Sequence, residues 1–169
     1  MSKAFTRESE IDDAPVPGLP PLDLPAGTPN YVTPAGFAAL KERQTALTAE
    51  RPGVARAAAG DGPDAAAARR RLPAIDLDLR ALAERIDRAE VVEGGEAGVV
   101  RFGATVTLRG DEERVVTIVG IDEADAGRGR ISWRSPLARA LLGAAEGDVV
   151  TLRTPRGEEE VEVVGVSYR

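Results

Sequence analysis

The chain has 169 residues, of which 43% are hydrophobic and 30% charged, so one ordinary domain or two small domains with a packed core are feasible. It contains no cysteine and no histidine, which excludes disulfides, zinc sites built from those residues, and catalysis by Cys or Ser-His groups. The net charge of −6 and the six aromatic residues argue against a broad basic nucleic-acid surface and a base-stacking platform.

Proline dominates the beginning of the chain. Residues 14–29 hold six of the 12 prolines, and proline fixes φ and removes backbone donors. We therefore expect residues 1–30 to form a disordered, proline-rich leader, with a partner-binding tail as the alternative. Met1–Glu10 is polar and no long apolar run follows, so we predict a cytoplasmic protein without a signal peptide or membrane span.

The first helix is predicted to begin at Thr33, a suitable N-cap that is followed by Pro34 at the first helical position. Pro52 is expected to kink this helix or to split it after Glu50. A heptad seam with two polar interruptions runs through Phe37, Leu40, Gln44, Leu47, Arg51, Val54 and Ala58.

A turn follows at Gly60–Pro63, and a second helical pattern begins near Ala65. Its seam has the spacing of a heptad pattern, with Pro73 as a flaw near its start. The seam residues are Leu72, Ile75, Leu79, Leu82, Ile86 and Ala89. Two such helices joined by a short turn predict an antiparallel coiled-coil hairpin over residues 31–92, with its tip near 60–65.

The pattern changes to β after residue 92. One short helix is expected between the third and fourth strands, with Ser135 as its N-cap, Pro136 as its first residue and Gly143 as its stop. The predicted strands are Thr105–Leu108, Arg114–Ile121, Gly129–Trp133, Val149–Arg153 and Glu160–Val166. The fold class is therefore α+β: a helical hairpin followed by a small antiparallel β domain over residues 99–169.

Two carboxylates stand at the predicted tip. Asp61 and Asp64 flank Gly62-Pro63 and could share a divalent ion, because Mg²⁺ needs only one or two protein carboxylates when phosphates or another protein complete its shell. Taken alone, the two residues are better explained by turn formation and helix capping.

Two further features have a structural and a functional interpretation. Arg69–Arg71, with Arg56 across the hairpin, form either a solvated face or a contact with RNA or an acidic channel wall. Trp133 is interpreted as a half-buried core residue, with an exposed contact aromatic as the alternative.

Several spaced motifs resemble the bacterial GreA/GreB transcript cleavage factors over roughly residues 30–169, and Met1–Ser9 looks GreB-like. The motifs are Asn30–Leu40, Arg51-Pro52, Ala89–Val92, Ile131-Ser132, Ser135–Gly143, Gly147-Asp148 and Thr154–Gly157.

The resemblance implies a coiled-coil hairpin and an FKBP-like domain without isomerase activity. It implies that the globular domain docks at the rim of the RNA polymerase secondary channel, where Arg134, Ser135 and Pro136 are the candidate docking residues. The hairpin then enters the channel, Asp61 and Asp64 help to hold the second Mg²⁺ ion, and polymerase hydrolyses backtracked RNA. The chain would be a monomer without a cofactor of its own, and not an enzyme by itself.

The chain departs from the family pattern at three places, and the altered tip and the shorter hairpin favour an alternative function. Asp64 stands where the family has Glu, and Ala65–Ala68 replace polar and aromatic residues. The hairpin is shorter, which would retract the tip by roughly 5–8 Å at ~1.5 Å per residue. Arg134 stands where the family usually carries an acid. The alternative is a secondary-channel regulator that binds polymerase without stimulating cleavage. A binding module for another protein is a third option, and a stand-alone hydrolase has no pocket to support it.

Overall fold

The computed structural model describes residues 18–96, 98–154 and 157–168. Residues 1–17, the larger part of the predicted leader, lie outside this description. The chain divides into two compact units. The hairpin unit contains residues 18–21 and 45–81, and the sheet unit contains residues 22–44 and those from 82 onwards. The predicted division at 31–92 and 99–169 follows secondary structure and stays a prediction.

Two long helices form the predicted hairpin: α1 spans Pro34–Ala59 and α2 spans Ala65–Asp87. α1 begins as expected, because the Thr33 hydroxyl accepts a hydrogen bond from the backbone N–H of Gly36 at 2.9 Å. Pro52 lies inside α1 and does not split it, and Pro73 lies inside α2. A proline removes one helical hydrogen bond, and burial of the seam on both sides of it offsets that loss.

Burial in the hairpin unit follows the predicted seams. Leu47 of the first seam and Ile75 of the second are buried, together with Ala68 and Ala74. Leu77 lies off the seam and is 59% exposed. The apolar positions of the seams are therefore the more buried side of these helices, whereas the seam position Arg51 is exposed.

The sheet unit contains a five-stranded sheet of order β5-β4-β3-β7-β6, and a separate two-stranded ladder of β1 and β2. The strands are β1 Asn30–Val32, β2 Ala89–Val91, β3 Thr105–Arg109, β4 Glu113–Val119, β5 Arg130–Ser132, β6 Val149–Thr154 and β7 Gly157–Ser167. All five predicted strands are present. The three-residue strands β1 and β2 were not predicted, because they are too short to show a periodicity.

One strand pair departs from the predicted antiparallel arrangement. β5 pairs with β4 in parallel, whereas β3 pairs with β4 and β7, and β6 with β7, in antiparallel fashion. The chain between β4 and β5 passes through two short 3₁₀ helices, Ile121–Glu123 and Ala126–Arg128. This connection is longer than a hairpin turn and brings β5 back in the direction of β4, so the sheet is mixed.

The core of the sheet unit lies between the sheet and the third helix, α3, which spans Pro136–Leu141. Ser135 caps α3 as predicted, since its Oγ accepts from the Ala138 N–H at 3.1 Å. Trp133 packs against this core, and its ring meets that of Tyr31 edge-on at 5.3 Å, which confirms the interpretation of Trp133 as a half-buried core residue.

A buried carboxylate fixes the start of α1. Glu123 accepts hydrogen bonds from the backbone N–H groups of Thr33 and Gly120, at 3.0 and 3.1 Å, and from the Thr33 hydroxyl. A Cβ added at Gly36 would lie 2.1 Å from the Glu123 carboxyl carbon, so only glycine fits there. Arg130 approaches the same carboxylate at 3.4 Å.

None of the helices in the described part of the chain combines the length and hydropathy that a membrane crossing requires.

Candidate functional site

The tip loop, residues 60–64, connects α1 to α2 through a compact set of backbone hydrogen bonds. Gly60 donates to the Ala57 carbonyl at 3.2 Å, and Ala65 donates to the Gly62 carbonyl at 3.0 Å. The Asp64 carbonyl accepts from Ala68 at 2.9 Å, which ties the loop to the first turn of α2. The backbone that carries both candidate aspartates is therefore held at each end of the loop.

Arg69 of α2 closes the end of α1. Its Nε donates to the Ala58 carbonyl at 3.0 Å, and its Nη2 donates to the Gly60 carbonyl at 2.8 Å. Ala58 is in the last turn of α1, where a helix leaves its carbonyls unpaired, and Gly60 follows the end of the helix. Arg69 thus serves a structural purpose in the predicted basic patch, and Arg56 likewise bonds the Pro52 carbonyl of its own helix.

The two candidate carboxylates face solvent. The Asp61 side chain is fully exposed, and its Oδ1 lies 3.8 Å from Nη2 of Arg69. Asp64 is also exposed, three residues further along the same loop. Within the described residues, no group of three or more acidic side chains is arranged to hold a metal ion. Any ion at the tip would therefore take the rest of its ligands from outside this chain.

Two reciprocal ion pairs join the helices on the tip side of the hairpin unit. Arg71 bonds both oxygens of Glu50, at 2.9 and 3.1 Å, and Arg51 bonds both oxygens of Asp76, at 2.6 and 3.3 Å. The hydrogen bonds from Arg71 hold the pKa of Glu50 below its ordinary value, and those from Arg51 do the same to the pKa of Asp76. Their charge-assisted geometry fixes the register of the hairpin.

These pairs show why the first seam contains a polar residue. Arg51 was noted as an interruption of the seam and as part of a family motif, and Arg71 as part of the basic patch, but neither was expected to form an ion pair across the hairpin. The available signal in the sequence was the adjacent pair Glu50-Arg51, which faces residues of opposite charge on α2.

The three candidate docking residues lie together at the start of α3 in the sheet unit. Ser135 is occupied as the cap, whereas Pro136 is exposed. Arg134 is not free: its Nη1 donates to the Asp23 carbonyl and lies 3.3 Å from Asp23 Oδ2. Nothing in the sequence pattern pointed to this contact, because it joins residues far apart in the chain.

An open cleft of about 810 Å³ adjoins these residues and includes Ser135 and Pro136 in its wall. Its lining combines apolar side chains with three arginines. These are Ile131, Leu137, Ala140, Leu152, Arg114, Arg139 and Arg153. Arg114 and Arg153 lie 3.7 and 3.6 Å from the carboxylates of Glu159 and Glu158, so a partly apolar surface with paired charges lies directly beside the candidate docking residues.

Known proteins resemble this chain over most of its length. The family model described as "Transcription elongation factor, GreA/GreB, C-term" matches residues 95–168. Transcription elongation factor GreB of Neisseria meningitidis serogroup A is 48% identical over 155 residues, covering 83% of this chain and 95% of that protein. The chain belongs to the GreA/GreB family. This confirms the resemblance noted in the sequence.

Other relatives of this Gre-family chain carry the same family name. Transcription elongation factor GreA of Cereibacter sphaeroides is 41% identical over 150 residues, covering 81% of this chain and 96% of that protein. Among solved structures, GreA factor homolog 1 of Thermus thermophilus matches with 27% identity and a TM-score of 0.38, covering 82% of this chain and 99% of that one. The GreA/GreB factor of Nitrosomonas europaea matches with 26% identity and a TM-score of 0.40, covering 82% and 98%.

Proposed function

We propose that this Gre-family chain binds bacterial RNA polymerase at its secondary channel and promotes cleavage of backtracked RNA. In this proposal Asp61 and Asp64 help to position a Mg²⁺ ion that polymerase also holds. The observation that carries it is the tip loop, which presents two exposed carboxylates on a backbone fixed at both ends. The relatives named transcription elongation factors GreB and GreA support polymerase as the partner.

The tip has the properties of a metal-ligand donor that acts inside another protein. Both aspartates are exposed, so their oxygens keep acceptor capacity for a cation. Mg²⁺ retains several waters and takes one or two carboxylates, while substrate phosphates and other carboxylates supply the remaining ligands. In a two-metal site, such an ion stabilises the attacking and leaving oxygens of the displacement. The chain lends ligands, and the nuclease is polymerase itself.

Arg69 is the residue that positions the Asp61 carboxylate for metal binding. A metal ligand must be held in place by its surroundings, and Arg69 bonds the Ala58 and Gly60 carbonyls immediately before Asp61. It also remains near the Asp61 carboxylate at 3.8 Å, a loose contact that a divalent cation can replace.

Docking belongs to the sheet unit in this proposal. Ser135 and Pro136 line the cleft described above, Arg134 precedes them in the chain, and the apolar part of the cleft suits an apolar element of polymerase. The chain acts as a monomer, since each helix of the hairpin buries its seam within the same chain. Contact with the backtracked RNA is limited to the tip.

One observation favours the alternative, a channel-binding regulator that does not stimulate cleavage. Ala66 and Ala67, two and three residues after Asp64, are exposed, so the first turn of α2 presents methyl groups where a polar side chain could orient water or RNA. The same polymerase-binding surface would serve both functions.

RNA cleavage in a stalled, backtracked elongation complex distinguishes the cleavage-promoting function from the non-cleaving alternative. The assay uses homologous polymerase, Mg²⁺ and the unsubstituted chain, the variants Asp61→Ala and Asp64→Ala, and the control Glu42→Ala, which changes an exposed acid of α1. We expect faster release of 3′ fragments, lost in the tip variants and kept in the control. No acceleration, together with competition against a GreB factor, would establish the alternative. Absence of polymerase binding would contradict both.

A further inference from the structure

The N-terminal segment 22–29 lies against the corner of the sheet unit that bears Arg134. Arg134 Nη1 donates to the Asp23 carbonyl and lies 3.3 Å from Asp23 Oδ2. After this contact the Arg134 side chain is 36% exposed, whereas that of Asp23 is 95% exposed. The Arg134 guanidinium is thus partly buried and has two acceptors, while the Asp23 carboxylate remains in water. Asp23 therefore offers an exposed carboxylate to a partner at this corner.

A second arginine holds the same segment. Arg88 Nη2 donates to the carbonyls of Pro25 and Thr28, both at 2.8 Å. Leu22 and Leu24, on either side of Asp23, are buried. The alternation of buried leucines with an exposed aspartate is that of an extended segment with one face on the protein. These contacts were not expected from the sequence, because proline content does not report tertiary partners, and the disorder of the leader stays a prediction.

We propose that segment 22–29 forms part of the polymerase-binding surface, with Asp23 as a partner-binding residue that Arg134 positions. This inference rests on the proposed docking at Arg134–Pro136. Arg134 engages one oxygen of the Asp23 carboxylate, and the other oxygen keeps its acceptor capacity. The matching group on polymerase is a lysine or arginine beside an apolar patch, which would meet the exposed ring of Pro136.

The opposite arrangement would make the segment a cover that polymerase displaces. Displacement would expose Leu22 and Leu24 to water and break the paired bonds of Arg88. It would also leave Arg134 without the acceptors that Asp23 supplies. The anchoring therefore favours a composite surface over a cover.

Equilibrium binding of the full chain to homologous core polymerase tests this inference. Asp23→Asn removes the charge and keeps both the side-chain shape and the backbone carbonyl that Arg134 bonds. We expect Asp23→Asn to weaken binding roughly three- to tenfold and to reduce the salt dependence of the Kd, as loss of one interfacial ion pair does. Asp111→Asn, an exposed acid in the turn between β3 and β4, is the matched control and should bind as the unsubstituted chain does.

Binding by variants of Arg134 tests whether this residue positions Asp23. Arg134→Ala should weaken binding at least as much as Asp23→Asn, and the double variant Asp23→Asn/Arg134→Ala should lose no more than Arg134→Ala alone, because Asp23 is no longer positioned once Arg134 is removed. Arg134→Lys should retain part of the affinity. Unchanged or tighter binding by Asp23→Asn, or additive losses in the double variant, would overturn this inference alone. Failure of the unsubstituted chain to bind polymerase would overturn the proposed function as well.

Discussion

Glu123 illustrates how a single buried carboxylate can define the start of a long helix. Thr33 is the local cap of α1, and its hydroxyl and backbone N–H both donate to Glu123, ninety residues away. The cap was predictable because its signal is local. Its acceptor was not, since the sequence around Glu123 shows only an acidic residue near a turn.

Replacing Glu123 tests this arrangement. Glu123→Gln places an amide donor among groups that already donate, so one buried donor loses its acceptor. We expect the free energy of unfolding to fall by about 1–3 kcal/mol. Urea unfolding measures the change, with the exposed Glu112→Gln as the control, for which the expected change stays within about 0.5 kcal/mol. Equal stabilities of the two variants would show that the carboxylate does not anchor α1.

At the scale of helices and strands, the sequence predicted the helix caps and the heptad seams. Thr33 and Ser135 both cap their helices, because capping depends on residues three positions apart. The sequence left open a break of α1 at Pro52. The helix continues through Pro52, because seam burial and cross-helix bonds together offset the loss of one hydrogen bond. The parallel pairing of β5 was missed, since strand direction depends on where the intervening connection runs.

Replacement of Pro52 by alanine tests how much this proline costs α1. It is exposed within α1, so replacement by alanine restores a backbone donor without disturbing the buried seam. We expect Pro52→Ala to stabilise the helix by roughly 1–3 kcal/mol. Thermal unfolding followed by circular dichroism at 222 nm measures this effect. A lower melting temperature would indicate that Pro52 is required for the local path of α1.

The cross-helix ion pairs predict how the hairpin responds to acid. The folded-state pKa values of Glu50 and Asp76 lie below their ordinary values of 4.5 and 3.8. Each group therefore contributes stability that is fully present above its ordinary pKa and is lost as the pH falls through the lowered value.

Acid titration of the melting temperature checks this effect. We expect the unsubstituted chain to lose stability as the pH falls below about 4.5, and the variant Asp76→Asn to show a weaker dependence in the same range. Because both pairs are exposed, the effect should shrink in high salt. Glu42→Gln serves as the control, and an identical slope in Asp76→Asn would contradict the role of the pair.

At the scale of the whole molecule, the α+β class and the family could be predicted because they rest on long periodic segments and on several motifs in order. The candidate site was predicted in part. The tip aspartates and the start of α3 were identified as residues, but the bonds from Arg69 to the tip loop and from Arg134 to Asp23 were not. Both are arginines bonding backbone carbonyls, a pattern that leaves no periodic or spacing signal in a sequence.

The Mg²⁺ dependence of RNA cleavage tests the central claim most directly. Cleavage of a backtracked complex is measured at saturating factor across a range of Mg²⁺ concentrations, for the unsubstituted chain, Asp61→Asn and the control Glu42→Gln. If Asp61 helps to position the ion, Asp61→Asn should raise the Mg²⁺ concentration for half-maximal cleavage by about tenfold or more, with polymerase binding unchanged. The same half-maximal Mg²⁺ concentration in both proteins would contradict a role for the tip carboxylate in holding the metal.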